Sequence, residues 1–575
     1  MCMIQNINRL FLPFLGHTVF LRLLLIFSSA TAQNIDYSYF EFPLRLPIRL
    51  AGNFAEVRPN HFHSGLDIKA PSGTPVYAPA DGYLSRIRKS GGGYGNALYI
   101  THPNGLRTVY GHLLRFKDEL EAFAEKIQYR NNSFDFTEYP DSARFPIKKG
   151  DIIGYVGNTG SSSGPHLHFE IRTVEKDVPI NPLLFRFKVK DSVKPRFKSL
   201  LIYKKNPLTG ETEKKIYPVL KGKDRYYISE TIDFDGQTAV AFEAYDYMND
   251  VRNTQGIYSI RMFVDQELYY EHRLDSVAFE DTRYINSFVD YEQYLRRRKA
   301  YIKCFIEPGN KLPVYRTNRE SGIITAADKQ IHTVKIIATD NFNNSITLSF
   351  QIKGTPSEWK LFRLRTNRIF PHNKDNFFVK DSFACYIDRG TLYTDIKKVY
   401  TQRPRTSNLY SARYSLCSPY VPLHKPVYVL IHARNIPKNY KDKALMVRLT
   451  DKGGRRALPG RMEDDYIVAK SKSLGVFALT LDTLPPQIKR IKHRYGTNYT
   501  RYKKIAFKIT DNLSGVTQYT ATLDGKPLIL THDAKTSKIY YIFDRRITKN
   551  TRHQLIITAS DAKNNTTHYT CSFFK

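Results

Sequence analysis

The feature that most constrains this chain is an internal repeat of strand-like segments in its second half. Residues 191–198 parallel residues 482–489, and residues 240–246 parallel residues 505–511. Five more positions recur at identical offsets, namely His332, Ala338, Asp340, Asn343 and Asn344 in the first copy and His553, Ala559, Asp561, Asn564 and Asn565 in the second. Alternating short strands with closely spaced turns predict two copies of one immunoglobulin-like β-sandwich.

The repeat sets the expected domain organisation. The prediction is a signal peptide at 1–32, a compact β domain at 33–188 with its core at about 44–185, a sandwich at 189–354, a further sandwich at 355–481 and the second copy at 482–575. The first copy carries an insertion around 270–330. The fold class is therefore mainly all-β: a compact antiparallel β-sheet domain followed by immunoglobulin-like β-sandwiches. The sandwiches concentrate no catalytic residues, so we expect them to act as spacers or to bind envelope protein partners.

The N-terminus has the pattern of an export signal. An apolar stretch from Thr18 to Phe27, interrupted by Arg22, leads into Ala30-Thr31-Ala32, which places small residues before a cut at Gln33. A hydrophobic N-terminal anchor is the alternative that Arg22 leaves open. Beyond this stretch no 18 apolar residues follow one another without interruption, so we predict no transmembrane span in the mature chain. The expected location is the periplasm, the cell envelope or the medium.

The charge of the chain indicates anionic surroundings. The formal net charge is +34, which favours cell-wall polymers, acidic lipid or nucleic acid as neighbours. The basic residues are spread along the chain, and the signal peptide directs it away from the nucleic acids of the cell. We therefore expect no nucleic-acid partner.

The cysteines suggest no metal site. After the leader the chain holds Cys304, Cys385, Cys417 and Cys571, which lie far apart and form no CxxC pair. This spacing argues against a cysteine zinc site. One or two disulfides are compatible with an oxidising compartment, but the pairing stays open.

The first β domain shows several clear local signals. Residues 96–102 and 106–112 flank Pro103-Asn104-Gly105, which predicts a hairpin. Apolar residues at helical spacing between Phe116 and Ile127 predict one amphipathic helix within an insertion at about 115–148. The run 160–164 fits the GxSxG spacing of a nucleophile elbow, but Pro165 and a strand follow it where that motif needs a helix, so we expect a flexible rim loop.

Histidines concentrate in this domain at positions where strand geometry makes them useful. His166 and His168 lie two apart on a predicted strand, so both side chains project from one face. His63 and Asp67 lie four apart with Gly65 between them, and the backbone can curl so that both reach one ion. Two histidines and an aspartate leave the fourth position of zinc for water, which is the catalytic arrangement. His112 ends a further strand and can approach the same groove.

Three motifs in this domain resemble those of the lysostaphin-type zinc metallopeptidases. They are His63-Ser64-Gly65-Leu66-Asp67, Tyr110-Gly111-His112-Leu113 and Gly164-Pro165-His166-Leu167-His168-Phe169-Glu170. The resemblance covers about residues 44–185, a quarter of the chain. It implies that His63, Asp67 and His168 bind Zn²⁺, and that His112 and His166 are catalytic residues that activate water and stabilise the transition state.

The resemblance also implies a substrate and leaves alternatives open. The family cleaves peptide bonds in the stem or cross-bridge peptides of peptidoglycan, so the expected function is an exported zinc metalloendopeptidase of cell-wall remodelling. The alternative is a non-hydrolytic envelope scaffold or amidase regulator. This alternative would be favoured if the insertion at 115–148 plugged the groove. His61 forms a second HxH pair with His63, so an exchange of ligand between them is conceivable, although the spacing to Asp67 favours His63.

Overall fold

The computed structural model describes residues 35–205, 212–356, 369–491 and 497–575. The predicted signal peptide at 1–32 lies outside the described residues. The fold is mainly β, as predicted. Across the described ranges, none of the helices has the length and apolar character needed to cross a membrane.

The first β domain is an antiparallel assembly with one main helix. Its elements are β1 Leu50–Gly52, β2 Val57–Arg58, β3 His61–Phe62, β4 Leu66–Lys69, β5 Pro75–Tyr77, β6 Gly82–Lys89, β7 Asn96–Thr101, β8 Leu106–Leu113, β9 Arg115–Phe116, α1 Asp118–Asn131, β10 Phe136–Glu138, β11 Pro146–Ile147, β12 Ile152–Tyr155, β13 His166–Thr173, β14 Pro179–Ile180 and a 3-10 turn Pro182–Leu184. The large sheet has the order β1-β4-β13-β8-β7-β6-β10, with β11 beside β6 and β14 beside β13, and a small sheet has the order β5-β12-β9.

Strand β13 sits centrally in the large sheet and orients the polar face of the domain. Leu167, Phe169 and Ile171 are fully buried in its core, because alternate residues of a strand point to one side. His166, His168 and Glu170 therefore share the opposite side. β4 and β8 flank β13 as antiparallel neighbours, and they carry Asp67 and His112.

Local predictions for this domain agree with the structure. β7 and β8 pair as an antiparallel hairpin. The helix α1 covers the segment where apolar spacing predicted it, and it buries Leu120, Phe123, Ala124 and Ile127.

The first sandwich follows, with two sheets and a helical insertion. Its elements are β15 Arg196–Lys205, β16 Thr212–Pro218, β17 Leu220–Lys221, β18 Tyr226–Tyr227, β19 Ile232–Asp235, β20 Gln237–Tyr247, β21 Thr254–Gln255, β22 Ser259–Val264, β23 Glu267–Arg273, a 3-10 turn Thr282–Tyr284, α2 Ile285–Phe288, α3 Tyr291–Arg297, β24 Tyr301–Lys303, β25 Tyr315–Asn318, a 3-10 turn Arg319–Gly322, β26 Ile324–Thr325, β27 Ile331–Thr339 and β28 Ser345–Thr355. One sheet is built on β15 and β20, and the other on β28, β27, β22 and β23.

A third unit consists of two five-stranded sheets. Its elements are β29 Ile369–Phe370, β30 Asn376–Lys380, β31 Phe383–Ile387, β32 Ile396–Lys397, β33 Tyr400–Arg403, β34 Arg413–Leu416, β35 Val427–His432, a 3-10 turn Lys438–Tyr440, β36 Ala444–Leu449, β37 Arg455–Ala457, β38 Gly460–Glu463, β39 Tyr466–Ser471 and β40 Gly475–Leu481. The sheets have the orders β30-β31-β35-β39-β38 and β33-β34-β40-β36-β37, and β29 pairs with β32.

The last sandwich has two four-stranded sheets around one apolar core. Its elements are β41 Gln487–Arg490, β42 Lys504–Thr510, β43 Val516–Leu523, β44 Lys526–Pro527, β45 Thr531–Asp533, a 3-10 turn Ala534–Thr536, β46 Lys538–Ile542, β47 Arg552–Asp561 and β48 Thr566–Phe574. The sheet orders are β41-β42-β46-β45 and β44-β43-β47-β48.

The sequence repeat corresponds to repeated contacts. In the first sandwich the Asp265 carboxylate lies 2.5 Å from Nδ1 of His332, and in the last sandwich the Asp524 carboxylate lies 2.6 Å from Nδ1 of His553. Equivalent residues therefore make equivalent contacts in both copies.

The first β domain and the first sandwich share packing. Phe54, Ala55 and Phe62 belong to the apolar core of the sandwich. The Phe62 ring lies 5.3 Å from the Phe288 ring, and the Phe62 amide donates to Oγ1 of Thr282 at 2.8 Å. The sandwich is therefore joined to the segment that leads directly into His63.

The cysteines remain thiols in this fold. Cys304, Cys385 and Cys417 are buried, Cys571 is half-buried, and none of these four described residues forms a disulfide.

Candidate metal centre and catalytic groove

Three side chains meet at one point beside β13. Nε2 of His63 lies 3.0 Å from Oδ1 of Asp67 and 3.1 Å from Nδ1 of His168, and that Nδ1 lies 2.9 Å from the same Asp67 oxygen. All three side chains are largely buried, with 8%, 13% and 5% of their surface exposed for His63, Asp67 and His168. The strand pairing that sets His168 opposite Asp67 produces this convergence.

In both His63 and His168, the ring nitrogen that faces away from this point donates a hydrogen bond. Nδ1 of His63 donates to the Asn53 carbonyl at 2.7 Å, and Nε2 of His168 donates to Oε1 of Glu170 at 2.6 Å. Because each of these nitrogens carries a proton, a neutral ring presents a lone pair from its other nitrogen to the shared point. Two lone pairs and a carboxylate oxygen then face one another, which is a donor set that suits Zn²⁺.

The charges around this group favour an ionised Asp67. Burial opposes ionisation, but His63, His166 and His168 outweigh it and lower the pKa of Asp67. Burial also disfavours a charged His168, yet hydrogen bonds to Asp67 and Glu170 raise its pKa to about 9, so binding of a metal ion at Nδ1 would release a proton from this ring. Arg58 holds the second oxygen of Asp67 at 3.1 Å, so Oδ1 is the oxygen directed at the histidines.

His112 and His166 lie beside this group without being part of it. The two rings lie 4.8 Å apart, and the His112 ring lies 5.8 Å from that of His168. Nε2 of His166 is 3.4 Å from Oδ1 of Asp67. Burial, with the neighbouring His168 and His166, lowers the pKa of His112 to about 3, so its imidazole is neutral at neutral pH.

Backbone carbonyls of one loop orient both of these histidines. Nδ1 of His112 donates to the Thr159 carbonyl at 2.8 Å, and Nδ1 of His166 donates to the Gly164 carbonyl at 2.9 Å. Their Nε2 atoms are therefore the ones able to exchange protons with a bound molecule. His112 adopts a left-handed backbone conformation with φ of 61° at the end of β8.

The loop at 157–164 makes close contacts with the glycine-rich loop at 91–95, which the prediction of a flexible rim loop did not include. The Ser161 amide donates to the Gly93 carbonyl at 2.8 Å, and the Gly93 amide donates to Oγ of Ser161 at 3.0 Å. A Cβ on Gly160 would lie 2.3 Å from the Gly95 amide nitrogen. The two glycine-rich loops thus interlock, because only glycine permits so close an approach of two backbones.

Glu170 is a site residue that the sequence analysis did not single out. It is fully buried, and its carboxylate accepts from Tyr94 at 2.5 Å, Ser64 at 2.7 Å and Arg172 at 2.6 Å in addition to His168. Burial opposes ionisation, but Arg172 and His168 lower the pKa of Glu170. The sequence feature that could have identified Glu170 is the alternation His-x-His-x-Glu, which puts three polar residues on one face of β13.

His61 lies apart from the convergence. It is exposed, and its Nδ1 lies 3.0 Å from the Pro59 carbonyl. Among the residues that the structure describes, the group of His, Asp and Glu donors assembled here consists of His63, Asp67 and His168.

The insertion at 115–148 packs away from this group. Helix α1 contacts β6, β9 and β10, and Glu125 pairs with Arg546 of the last sandwich. The guanidinium of Arg546 also lies over the Tyr129 ring at 4.4 Å. These contacts connect the insertion to the last sandwich.

Comparisons with known proteins agree on the first β domain. Residues 61–124 and 142–182 match peptidase family M23. DD-carboxypeptidase/endopeptidase Mpg of Neisseria meningitidis is 40% identical over 121 residues, which are 21% of this chain and 22% of that protein. Peptidoglycan DD-endopeptidase ShyA of Vibrio cholerae is 26% identical over 182 residues, covering 31% of this chain and 36% of ShyA. The chain thus spans between a fifth and two fifths of the length of these curated relatives.

A solved structure and a second family match complete the comparisons. The catalytic domain of lysostaphin from Staphylococcus simulans is 25% identical, covers 23% of this chain and 87% of that chain, and has a TM-score of 0.18. Residues 367–482 match the Zu5-like domain. The chain therefore contains a peptidase family M23 domain, which carries the His63, Asp67 and His168 group, and a Zu5-like domain further along.

Proposed function

We propose that this protein is an exported zinc metalloendopeptidase that hydrolyses peptide bonds in the stem or cross-link peptides of peptidoglycan, in the periplasm, the cell envelope or the medium. The observation that carries the proposal is the convergence of His63 Nε2, Asp67 Oδ1 and His168 Nδ1 within 3.1 Å of one another, beside two further histidines.

His63, Asp67 and His168 are the residues that would hold the zinc ion. Nitrogen and carboxylate donors suit this metal, and a set of three leaves a position for water or substrate. When bound, zinc supplies Lewis acidity, which polarises a carbonyl and acidifies water. Asn53 and Glu170 would fix the orientation of the two imidazoles during metal binding.

His112 is the proton acceptor of the proposed reaction. The Thr159 carbonyl accepts the Nδ1 proton of His112, which leaves the lone pair on Nε2. Nε2 is then free to accept a proton from the attacking water. His166, held by the Gly164 carbonyl, has its Nε2 3.4 Å from Oδ1 of Asp67 and would stabilise the developing oxyanion.

The substrate class follows from the named relatives and from charge. Both Mpg and ShyA are named as endopeptidases, and ShyA is named as acting on peptidoglycan. The net charge of +34 would hold the chain against an anionic wall polymer by long-range attraction.

The test is digestion of purified, cross-linked peptidoglycan, with products identified by mass spectrometry and zinc content measured alongside. Wild type should release new peptide ends, and a chelator should abolish them. His168→Ala should lose both zinc and cleavage. His112→Ala and His166→Ala should retain zinc and lose cleavage, because these residues act on the reactants.

His61→Ala is the matched control, since this histidine is exposed and lies outside the donor group. It should retain zinc and activity. Stoichiometric zinc without cleavage in wild type would favour the non-hydrolytic scaffold or amidase regulator. A loss of zinc in His61→Ala would overturn the ligand set.

A further inference from the structure

Two clusters of three aspartates occupy equivalent positions in the two copies of the repeat. In the first sandwich Asp191, Asp246 and Asp340 bring one carboxylate oxygen each within 4.8 Å of one another, and in the last sandwich Asp482, Asp511 and Asp561 do the same. The sequence repeat aligns these residues pair by pair. The same three-aspartate cluster is therefore present in both copies.

Each cluster is built from three separate segments at one end of its sandwich. The first aspartate lies in the connection that enters the sandwich, before β15 or β41. The second lies at the end of β20 or just after β42, and the third lies at the turn between the last two strands. The contacts are therefore long-range and do not arise from a single acidic turn.

The third aspartate of each cluster is locked in place by the same partners. Asp340 accepts from Nδ2 of Asn344 at 2.8 Å, and Asp561 accepts from Nδ2 of Asn565 at 2.7 Å. Both asparagines also donate to the carbonyl of the first aspartate, Asp191 at 3.4 Å or Asp482 at 3.0 Å. These bonds fix the position of the third aspartate relative to the first. Some oxygens of the other two carboxylates still lack a hydrogen-bond partner.

Buried carboxylate oxygens in both clusters have no partner within the described ranges. In the first cluster these are Oδ2 of Asp191 and Oδ1 of Asp246, and in the second they are Oδ1 of Asp482 and Oδ1 of Asp511. Asp246 is only 3% exposed and Asp482 is 0% exposed. An ionised carboxylate at such depth is costly unless a cation compensates it.

Side-chain cations do not satisfy the first cluster. Across the described parts of the chain, no lysine, arginine or histidine forms an ion pair with Asp191, Asp246 or Asp340. The three carboxylates therefore converge without a compensating side-chain charge, and they repel one another when ionised. A bound cation would remove the repulsion and supply a partner for each orphaned oxygen.

We propose that each sandwich of the repeat binds one Ca²⁺ ion, through Asp191, Asp246 and Asp340 in the first and through Asp482, Asp511 and Asp561 in the last. An all-oxygen donor set selects a hard cation over zinc. Calcium accepts six to eight oxygens at roughly 2.3–2.6 Å in flexible geometry, so its ligand oxygens lie at most about 5 Å apart. Magnesium demands a stricter octahedron and retains more of its water.

Neutral oxygens beside each cluster supply further candidates for ligands. Gln255 and Ser514 occupy matching positions directly before Gly256 and Gly515. Oε1 of Gln255 and Oγ of Ser514 are buried and lack a partner among the described residues. Gln255 lies opposite Asp246 in the pairing of β20 with β21, and the Ser514 amide donates to Asp482 at 2.9 Å.

Calcium would stiffen the junction between each sandwich and the unit before it. Phe342, in the turn that follows Asp340, packs against the core of the first β domain. Leu513, next to the second cluster, packs against the third unit. An ion that ties the entering connection to the strand ends would therefore hold neighbouring domains in fixed orientation.

The two sites also differ in a charged side chain beside the carboxylates, and this difference predicts unequal affinities. Lys563 lies near Asp482 and Asp561, whereas the equivalent position in the first copy is Phe342. The ammonium competes electrostatically with a divalent cation. The first site should therefore bind Ca²⁺ more tightly, and Lys563→Met should strengthen the second.

The test is calorimetric titration of the chelator-stripped full chain with CaCl₂. Wild type should bind two ions per chain, Asp246→Asn should bind one, Asp511→Asn should bind one, and the double variant should bind none. The exposed Asp233→Asn, which makes the same change of charge in the first sandwich, should still bind two. Zinc content after reloading should be the same in every variant. A failure of calcium binding can therefore be distinguished from a failure of the proposed peptidase function.

Thermal unfolding supplies a second readout. Ca²⁺ should raise the melting temperature of wild type, and the rise should shrink in each Asn variant. Without metal, Asp246→Asn should be at least as stable as wild type, because it removes repulsion between buried carboxylates. The proposal would be overturned if wild type bound no calcium up to several millimolar or bound Mg²⁺ equally well. It would also be overturned if Asp233→Asn lost as much calcium binding as Asp246→Asn.

Discussion

Asn53 and Gly256, which are 203 residues apart, exchange two hydrogen bonds. Nδ2 of Asn53 donates to the Gly256 carbonyl at 2.9 Å, and the Gly256 amide donates to Oδ1 of Asn53 at 2.8 Å. The carbonyl of the same Asn53 accepts the Nδ1 proton of His63 at 2.7 Å. The first sandwich therefore takes part in positioning the proposed ligand His63, which is more than a spacer would do.

Replacing Asn53 by alanine keeps the backbone carbonyl that accepts from His63 but removes both side-chain bonds to Gly256, which hold this carbonyl in place. Zinc binding should therefore weaken by up to about 10-fold, because partners of a ligand tune metal affinity to this extent. The measurement is competition for zinc with a chromophoric chelator. Asn253→Ala is the matched control, since Asn253 pairs with Lys69 between the same two domains and has no link to His63. Equal loss of affinity in both variants would assign Asn53 a role in domain packing alone.

Glu170→Gln should lower zinc affinity by about 10- to 100-fold. The neutral amide is a weaker acceptor for Nε2 of His168, and it no longer compensates Arg172 at 2.6 Å. The exposed Glu175→Gln should bind zinc as wild type does. If Glu170→Gln lost stability but kept its zinc affinity, the carboxylate would serve the core and not the metal centre.

The convergence of His63, Asp67 and His168 could be predicted from the sequence because its members sit at short, regular spacings. His166 and His168 follow the two-residue period of a strand, and Asp67 lies opposite His168 in the neighbouring strand. Asn53 could not be found in this way, because its role depends on a contact with Gly256 across two domains. The contacts of the 157–164 loop were missed for the same reason, since they involve Gly95 in a distant turn.

In the sandwich repeat, too, some contacts could be predicted from the sequence and others could not. Offsets in the sequence paired Asp340 with Asp561 and Asn344 with Asn565, and each pair makes the same hydrogen bond in both copies. The convergence of three aspartates on one point required the three-dimensional fold, because Asp191 and Asp340 lie on elements that are far apart in the chain.

Lys535→Ala should lower kcat for peptidoglycan hydrolysis several-fold without changing zinc affinity. Nζ of Lys535, in the last sandwich, donates to the Ser162 carbonyl at 3.0 Å and also bonds the Asn158 carbonyl. Both lie in the loop whose Thr159 carbonyl orients His112, and small displacements of a catalytic group are costly.

Hydrogen exchange of residues 157–164 should become faster in Lys535→Ala, which connects the kinetic effect to the loop. Lys538→Ala removes an exposed lysine from the neighbouring strand β46 and should leave both quantities unchanged. An unaltered kcat together with faster exchange would show that the last sandwich orders the loop without assisting catalysis.

His272 should make the first sandwich sensitive to acid. It is fully buried 5.0 Å from the Phe288 ring, and burial lowers its pKa to about 3, whereas an unfolded histidine titrates near about 6.5. Between these values the unfolded chain binds a proton that the fold excludes, so this stability is complete above about pH 6.5 and declines toward pH 3, by at most about 1.4 kcal/mol per pH unit. Urea unfolding between pH 7.5 and 4.5 should therefore show a smaller acid loss in His272→Phe than in wild type. The exposed His568→Gln should follow wild type, and an undiminished acid loss in His272→Phe would contradict the assignment.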